Sequence, residues 1–444
     1  MPAIHRKHRL SSEQVILLGF ALVILTGAWL LTLPIASRSG ERTPFLNALF
    51  TSTSAVCVTG LVLYDTASHW TLFGQIVIIT LIQIGGMGVI TVALTITMLS
   101  GKKITLMQRS VMQGSISAPQ VGGIVRFTRF IVRGIFIIEL CGAVLLSTVF
   151  IPDFGTAKGI WMSIFHSVSA FCNAGFDLLG TKHPFSSLSA YADNIVINLV
   201  IAFLIIIGGL GFLTWEDICR NRFHFSQYRT QSKVILTATA CLIFFPALYF
   251  FFFEFSDLPV KTRILGSFFQ SVTTRTAGFN TLDLNSISET GQMLMSMLMI
   301  TGGAPGSTAG GMKNTTLFVL LACAAAIFKK QENGHLFGRR ISDEVVKNAA
   351  TVFLLYVGLF ILGGMAISRI EALPIVDCLF ESASAMGTVG LTLGHTPDFG
   401  TASKIILMCQ MYFGRVGSLT LIFATMPAAK VTLSKYPLDK ITVG

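Results

Sequence analysis

Four glycines stand in a shared setting. The segments FTSTSAVCVTGL from Phe50, FHSVSAFCNAGF from Phe165, FFQSVTTRTAGF from Phe268 and FESASAMGTVGL from Phe380 each place a Phe ten residues before Gly60, Gly175, Gly278 or Gly390, with Leu or Phe directly after the glycine. Ser54, Ser169 and Ser384 hold the place six before the glycine in three copies, and Val272 is the exception. Self-similarity of this kind marks a repeated structural unit. Glycine accepts positive φ without steric cost, so a loop centred on it can turn its carbonyl oxygens toward an axis. Four such loops around one axis make a ring of oxygens able to replace the water shell of a dehydrated cation. The candidate ring residues are Val58, Thr59 and Gly60; Asn173, Ala174 and Gly175; Thr276, Ala277 and Gly278; and Thr388, Val389 and Gly390. Short helices aiming their negative C-terminal ends at the same place would favour a cation further.

The elements that must position these loops are apolar. Hydrophobic residues make up 52% of the 444 positions and charged ones 12%, against roughly 25% charged in soluble domains. Long apolar runs such as Val15 to Leu33, Leu72 to Leu99, Ile195 to Thr214 and Val352 to Ser368 predict eight membrane-crossing helices. The first run is too long for a signal-peptide core and lacks a small-residue cleavage site, so it is expected to stay as the first span. The segment between each Phe and its glycine is too short to cross a bilayer. As a helix it reaches halfway, so the chain must turn back inside the membrane. Backbone turned at that depth persists only when packed in protein or lining water. A second pattern follows each glycine by 24 to 33 residues: Gly85-Gly86-Met87-Gly88, Gly208-Gly209-Leu210-Gly211, Gly302-Gly303-Ala304-Pro305-Gly306 and Gly414-Arg415-Val416-Gly417. Its glycines fit either close helix packing or room for a central pathway. The fold class is thus an all-α membrane protein of four membrane-pore-membrane repeats, eight spanning helices and four re-entrant half-helices about one pseudo-fourfold pore. The boundaries are 1–14 for an N-terminal tail, 15–110, 111–225, 226–340 and 341–429 for the repeats, and 430–444 for a C-terminal tail.

The net charge of +11 reflects topology rather than nucleic acid. With the N-terminus inside, most of the 32 Lys and Arg fall on one side, in Arg6 to Arg9, Lys102 to Arg133, Arg220 to Lys233, Lys313 to Lys347 and Lys430 to Lys440. This is the bias that sets orientation, and it puts both termini in the cytoplasm. Trp29, Trp70, Trp161 and Trp215 fall near span ends, where an indole can sit among headgroups. The eight cysteines lie singly in or near apolar stretches, without C-x-x-C spacing, and imply neither zinc nor disulfides.

One stretch cannot stay helical. Thr301 to Lys313, TGGAPGSTAGGMK, packs five glycines and Pro305 into the second helix of the third repeat, and the helix must break near mid-membrane. Its small residues, with Ser307 and Thr308, suit a flexible plug beneath the ring. A phosphate-loop reading fails on spacing, because Met312 separates the last glycine from Lys313 and Asn314 follows. Arg415, in the middle of the eighth span, must face protein or water, with carbonyls of the 301–313 loop as partners. Arg275 is expected to brace its loop from behind, paired with Glu381 or another acid. Asp65, Asp177 and Asp283 follow their glycines, either as solvated loop acids or as cation-enriching groups at an outer mouth. Glu139 lies within a span and needs a partner that the sequence does not name. Asn173 either offers an oxygen near the ring or braces it. No G-x-S-x-G or H-E-x-x-H is present, and His166, in the second short segment, has Thr51, Phe269 and Glu381 as repeat equivalents, which opposes a catalytic role. A secondary transporter built on broken helices is the alternative.

The segments VTGL at Val58 to Leu61, NAGF at Asn173 to Phe176, TAGFN at Thr276 to Asn280 and TVGL at Thr388 to Leu391 resemble the Trk/Ktr/HKT superfamily of potassium transporters. The likeness spans almost the whole chain and is strongest to the membrane subunit of bacterial Ktr systems. No apolar pair of spans precedes Val15, as in that shorter architecture. The resemblance implies one channel-like pore per subunit, a bacterial inner-membrane location, and potassium selectivity, since all four filter positions are glycine. It implies a gate formed by Gly302, Gly303, Ala304, Pro305, Gly306, Ser307, Thr308, Ala309, Gly310, Gly311 and Lys313, in contact with Arg415. It further implies no enzymatic activity, potassium as cargo without a bound cofactor, sodium as an activator, a homodimer, and a cytoplasmic ring of nucleotide-binding subunits docked on basic inside loops such as Lys329 to Lys347.

Overall fold

The fold is a computed structural model that describes residues 11–100, 106–115, 122–181, 184–222 and 224–425. One order of elements recurs along it: a long helix, a short helix, a glycine loop and a broken helix. The chain enters on α1 (Ser12–Leu31), opened by a capping box in which Ser11 and Gln14 bond reciprocally. There follow α2 (Phe45–Val56), α3 (Thr66–His69), α4 (Leu72–Met87) and α5 (Val89–Leu99), then α6 (Leu106–Ser115), α7 (Ile124–Phe154), α8 (Thr156–Phe171), α9 (Ile195–Gly209) and α10 (Phe212–Asn221). The second half carries α11 (Thr230–Tyr249), extended by a π-helical turn at Phe250–Glu254, then α12 (Val260–Thr273), α13 (Glu289–Ile300) and α14 (Asn314–Phe328). A hairpin of β1 (His335–Leu336) and β2 (Arg339–Arg340) leads to α15 (Asp343–Glu371), α16 (Ile375–Gly387), α17 (Thr401–Val416) and α18 (Ser418–Thr425).

Among the described residues four helices are long and apolar enough to cross a membrane: α1, α7, α11 with its extension, and α15. Their outward residues are apolar as well; Leu22, Leu140, Phe253 and Leu354 are all exposed, which in a bilayer is contact with lipid. Of the eight spans expected from the sequence, a break is expected only in the third repeat. The helices after the glycine loops are all broken: α4 and α5 meet at 93°, α9 and α10 at 100°, α13 and α14 are parted by 301–313, and α17 gives way to α18 at Gly417. The third helix therefore differs from its sisters only in the length of its break. Gly88, Gly211 and Gly417 carry φ of 84°, 82° and 92°, left-handed values that end a helix and that hydropathy does not register.

The preceding glycines do something else. A β-carbon on Gly85, Gly208 or Gly414 would collide with the carbonyl oxygen of Val56, Phe171 or Met386, in the last turns of α2, α8 and α16. The second pattern therefore both packs and breaks. The indoles depart from expectation too. Trp29 is exposed, but Trp70 and Trp215 are buried, and Trp161 and Trp215 donate to Gln75 Oε1 at 2.8 Å and to the Ile207 carbonyl at 2.9 Å. Met1 to Arg9, Lys102, Lys103 and the 430–444 tail lie outside the described residues.

Replacing Gly414 with Val overpacks the α16 end and is expected to cost about 1–3 kcal/mol, read as a lower melting temperature of the solubilised protein. Gly358→Ala on α15, where a β-carbon meets nothing within 4 Å, is the control and is expected to be neutral or stabilising by up to about 1 kcal/mol.

Candidate functional site

The four short helices α2, α8, α12 and α16 end just before Gly60, Gly175, Gly278 and Gly390. A β-carbon on Gly60 would lie 2.5 Å from the Ala174 carbonyl oxygen, and one on Gly175 2.7 Å from that of Ala277. The same atom on Gly278 would strike the Val389 oxygen, and on Gly390 the Thr59 oxygen. Each glycine thus abuts the carbonyl of the next loop, and the four loops close on themselves in chain order. No side chain fits at any of the four.

Their backbones share a second feature that the sequence did not signal. Val58, Asn173, Thr276 and Thr388, each two before its glycine, have φ of 57°, 60°, 66° and 52°, and the glycines have φ of 94°, 70°, 83° and 98°. Left-handed residues thus alternate with Thr59, Ala174, Ala277 and Val389, a pattern that turns successive carbonyls the same way. For β-branched Val58, Thr276 and Thr388 the conformation is a true outlier and stores strain. The hydroxyls of Thr59, Thr276 and Thr388 are buried without a hydrogen-bond partner among the described residues.

Hydroxyls on the short helices hold the loops. Ser54 Oγ accepts the Gly60 N–H and Ser384 Oγ the Gly390 N–H, both at 3.0 Å. Ser169 instead donates to the Phe176 carbonyl at 2.7 Å. Where the third copy has Val272, Thr273 one residue later donates to the Phe279 carbonyl at 2.5 Å, so the exception is repaired from the next position.

Beneath the ring lies the 301–313 loop, and it is stitched in place rather than loose. Gly302 N–H donates to the Met312 carbonyl at 2.7 Å, Ala304 N–H to Gly209 at 2.9 Å, Thr308 N–H to Gly208 at 3.2 Å, and Gly311 N–H to Gly414 at 3.1 Å. Gly306 returns its carbonyl to the Phe212 N–H at 2.8 Å. Thr308 Oγ1 reaches Asn173 Oδ1 at 3.0 Å, Lys313 Nζ closes on the Ala309 carbonyl at 2.9 Å, and Thr388 packs on Gly310. The expected partner of Arg415 is present: its guanidinium donates to the Thr308 carbonyl. It also donates to the carbonyls of Gly85 and Gly86, at the α4 break. The cavity on this side, about 380 Å³, is lined by Pro305, Ser307, Lys313 and Arg415 among others.

One pairing expected from sequence is absent among the described residues. Arg275 has no acidic partner and donates to the Thr239 carbonyl at 3.4 Å. Glu381 is spent on Thr392 Oγ1, the Leu393 N–H and Thr396 Oγ1, at 2.5, 3.0 and 2.5 Å, so it braces the chain leaving the fourth loop. His166 does the same in the second loop, bonding the Met162 carbonyl through Nδ1 and accepting the Leu178 N–H at Nε2. Asn173 is a brace, its amide donating to the Arg275 carbonyl at 3.3 Å. Asp65 accepts from Ser68 and Phe185 N–H groups, and Asp283 from Asn285. Both therefore act as caps and ties. Half-buried Asp177, in the loop beyond α8, has its carboxyl pushed up to about 7 by burial, with the nearby Asp65 charge adding to the shift.

The family described as TrkH, cation transport protein, matches residues 14–433. The chain belongs to the TrkH cation-transport family. Its members are transport proteins rather than enzymes, and this one is multi-pass. Among TrkH-family relatives, the potassium/sodium uptake protein NtpJ of Enterococcus hirae is 42% identical, over 99% of this chain and 98% of its own length. The Ktr system potassium uptake protein B of Bacillus subtilis is 37% identical over 98% and 97%, and that of Vibrio alginolyticus 32% over 97% and 94%. The crystal structure of the potassium transporter TrkH from Vibrio parahaemolyticus shares the fold, with a TM-score of 0.73 at 19% identity over 96% of this chain and 87% of that one.

If Arg415 holds the loop, Arg415→Gln is expected to speed amide hydrogen exchange across 301–313 by about tenfold, the loss of about 1.4 kcal/mol of local stability, with α1 and α7 unchanged. Equal acceleration throughout would mean global loosening instead.

Proposed function

We propose that the chain conducts potassium into the cell through one pore, with the four glycine loops as selectivity filter. The supporting observation is the closed ring at Gly60, Gly175, Gly278 and Gly390, whose alternating backbone, with threonine hydroxyls unpaired among the described residues, offers oxygens to a cation. In this reading the four stretches 15–110, 111–225, 226–340 and 341–429 are repeats about one axis. Carbonyls replace the water shell of the ion, and the short helices point their negative ends at it. One glycine per loop, in four different settings, gives fewer equivalent rings than a potassium channel has, so discrimination against sodium is weaker.

The 301–313 loop with Arg415 is the gate. Its backbone blocks the path below the filter, and the fixed guanidinium sets a positive barrier to cations. Opening breaks the bonds to Gly208, Gly209, Gly85 and Gly414, so the gate is a bonded element with a definite closed state. The lysine and arginine bias supports cytoplasmic termini, and likeness to bacterial Ktr membrane subunits supports an inner-membrane location. The membrane potential, worth about 2.3 kcal/mol per charge per 100 mV, drives uptake. By likeness to Ktr membrane subunits the protein is a homodimer. A cytoplasmic nucleotide-binding ring controls it, docked near Lys329 to Lys347, and sodium stimulates it.

Purified protein in liposomes is expected to take up rubidium passively under an inside-negative potential, without a chemical substrate, and faster with sodium present. Gly60→Ser and Gly278→Ser are expected to lower the potassium-to-sodium flux ratio; an unchanged ratio in both removes the filter assignment. Because the Asp177 carboxyl is neutral below about pH 7 and charged above it, the half-saturating rubidium concentration is expected to fall as external pH rises from about 6 to about 8. Asp177→Asn should flatten that dependence.

A further inference from the structure

Glu139 has no part in the ring or the loop below it. It sits midway along α7, only 5% exposed. A carboxyl at this depth is either neutral or paired with a cation. Its carboxyl accepts from Gln83 Nε2 at 3.3 Å, and the Cys172 thiol lies 3.9 Å away. No ion pair among the described residues involves it. Over it opens a cavity of about 560 Å³ between α4, α7 and α8, walled by Ile79, Phe136, Leu140 and Ile164. Phe136, Leu140 and Ile164 are 56%, 66% and 41% exposed, so the mouth opens on the chain's outer apolar face.

We propose that this groove is a binding site for a lipid-soluble ammonium, an apolar tail carrying one cationic nitrogen, and that its occupancy reaches the second glycine loop through Cys172. The walls match the tail, and Glu139 with Gln83 matches the cation. A bare metal ion would find only the Glu139 carboxyl, Gln83 Oε1 and Thr80 Oγ1 among the wall side chains, fewer oxygens than the roughly six to eight such an ion takes. The headgroup of a bilayer lipid is held about half the hydrocarbon thickness away. The route to the loop is short. Ser167 on α8 donates to the Glu139 carbonyl at 2.6 Å, Cys172 touches the carboxyl, and Asn173 of the ring is the next residue.

The test uses the full chain in liposomes and dicyclohexylcarbodiimide, a lipid-soluble carboxyl reagent. The carboxyl proton passes to one reagent nitrogen, the carboxylate oxygen bonds the central carbon, and acyl migration leaves a stable N-acylurea with no leaving group. Mass spectrometry is expected to find the adduct on Glu139, formed about tenfold more slowly with dodecylamine in the membrane and at unchanged rate with dodecanol. Ala143→Phe, which fills the groove, should suppress labelling. Absence of the adduct, or equal protection by dodecanol, overturns the site, the latter revealing a seat for any acyl chain. The coupling rests on the transport reading, whereas labelling does not. Dodecylamine should slow rubidium uptake by the native protein and not by Glu139→Gln, and protection with unaltered uptake overturns the coupling alone.

Discussion

Backbone that leaves the helix inside a membrane must find its hydrogen bonds within the protein, and this chain leaves the helix repeatedly near one axis. The four glycine loops, the 301–313 loop and the breaks at Gly88, Gly211 and Gly417 all expose peptide groups there. They satisfy one another. The carbonyls of Gly208 and Gly209, freed by the α9 break, accept from Thr308 and Ala304. Those of Gly85 and Gly86, freed by the α4 break, accept from Arg415. The irregular parts are therefore a single bonded assembly, and each break is a reason for its neighbour.

That economy explains why Arg415 is tolerated. A guanidinium has five donors in a fixed fork, and the carbonyls around it are ones that a broken helix leaves without partners. It joins the first, third and fourth stretches of the chain at one point and needs no acid. Arg275 follows the same logic with less return, through one long bond to Thr239. Glu139, like Glu381, has no cationic partner among the described residues.

Strain is concentrated at the ring. Val58, Thr276 and Thr388 hold left-handed backbone that β-branched residues avoid, and short-helix hydroxyls at Ser54, Ser169, Thr273 and Ser384 pin the loops that contain them. A loop so fixed holds its oxygens at a set spacing, which is what the proposed filter requires. The pins differ, accepting from an amide in the first and fourth loops and donating to a carbonyl in the second and third. The ring is consequently fourfold in outline and twofold in its bracing.

The four glycines, the short helices before them and the break at 301–313 were legible in the sequence because each is a local property: spacing, hydropathy, or a glycine and proline content no helix survives. Arg415's contact with that loop was legible too, since a charge amid apolar residues must seek carbonyls. The breaks at Gly88 and Gly417 were hidden, because apolar residues continue through them and only the φ of one residue differs. Tertiary structure alone decided that Glu381 serves Thr392 and Thr396 rather than Arg275, that Trp70 and Trp215 are buried, and that the loops close in chain order. These depend on which helix faces which, a matter of packing directions that spacing along a chain does not contain.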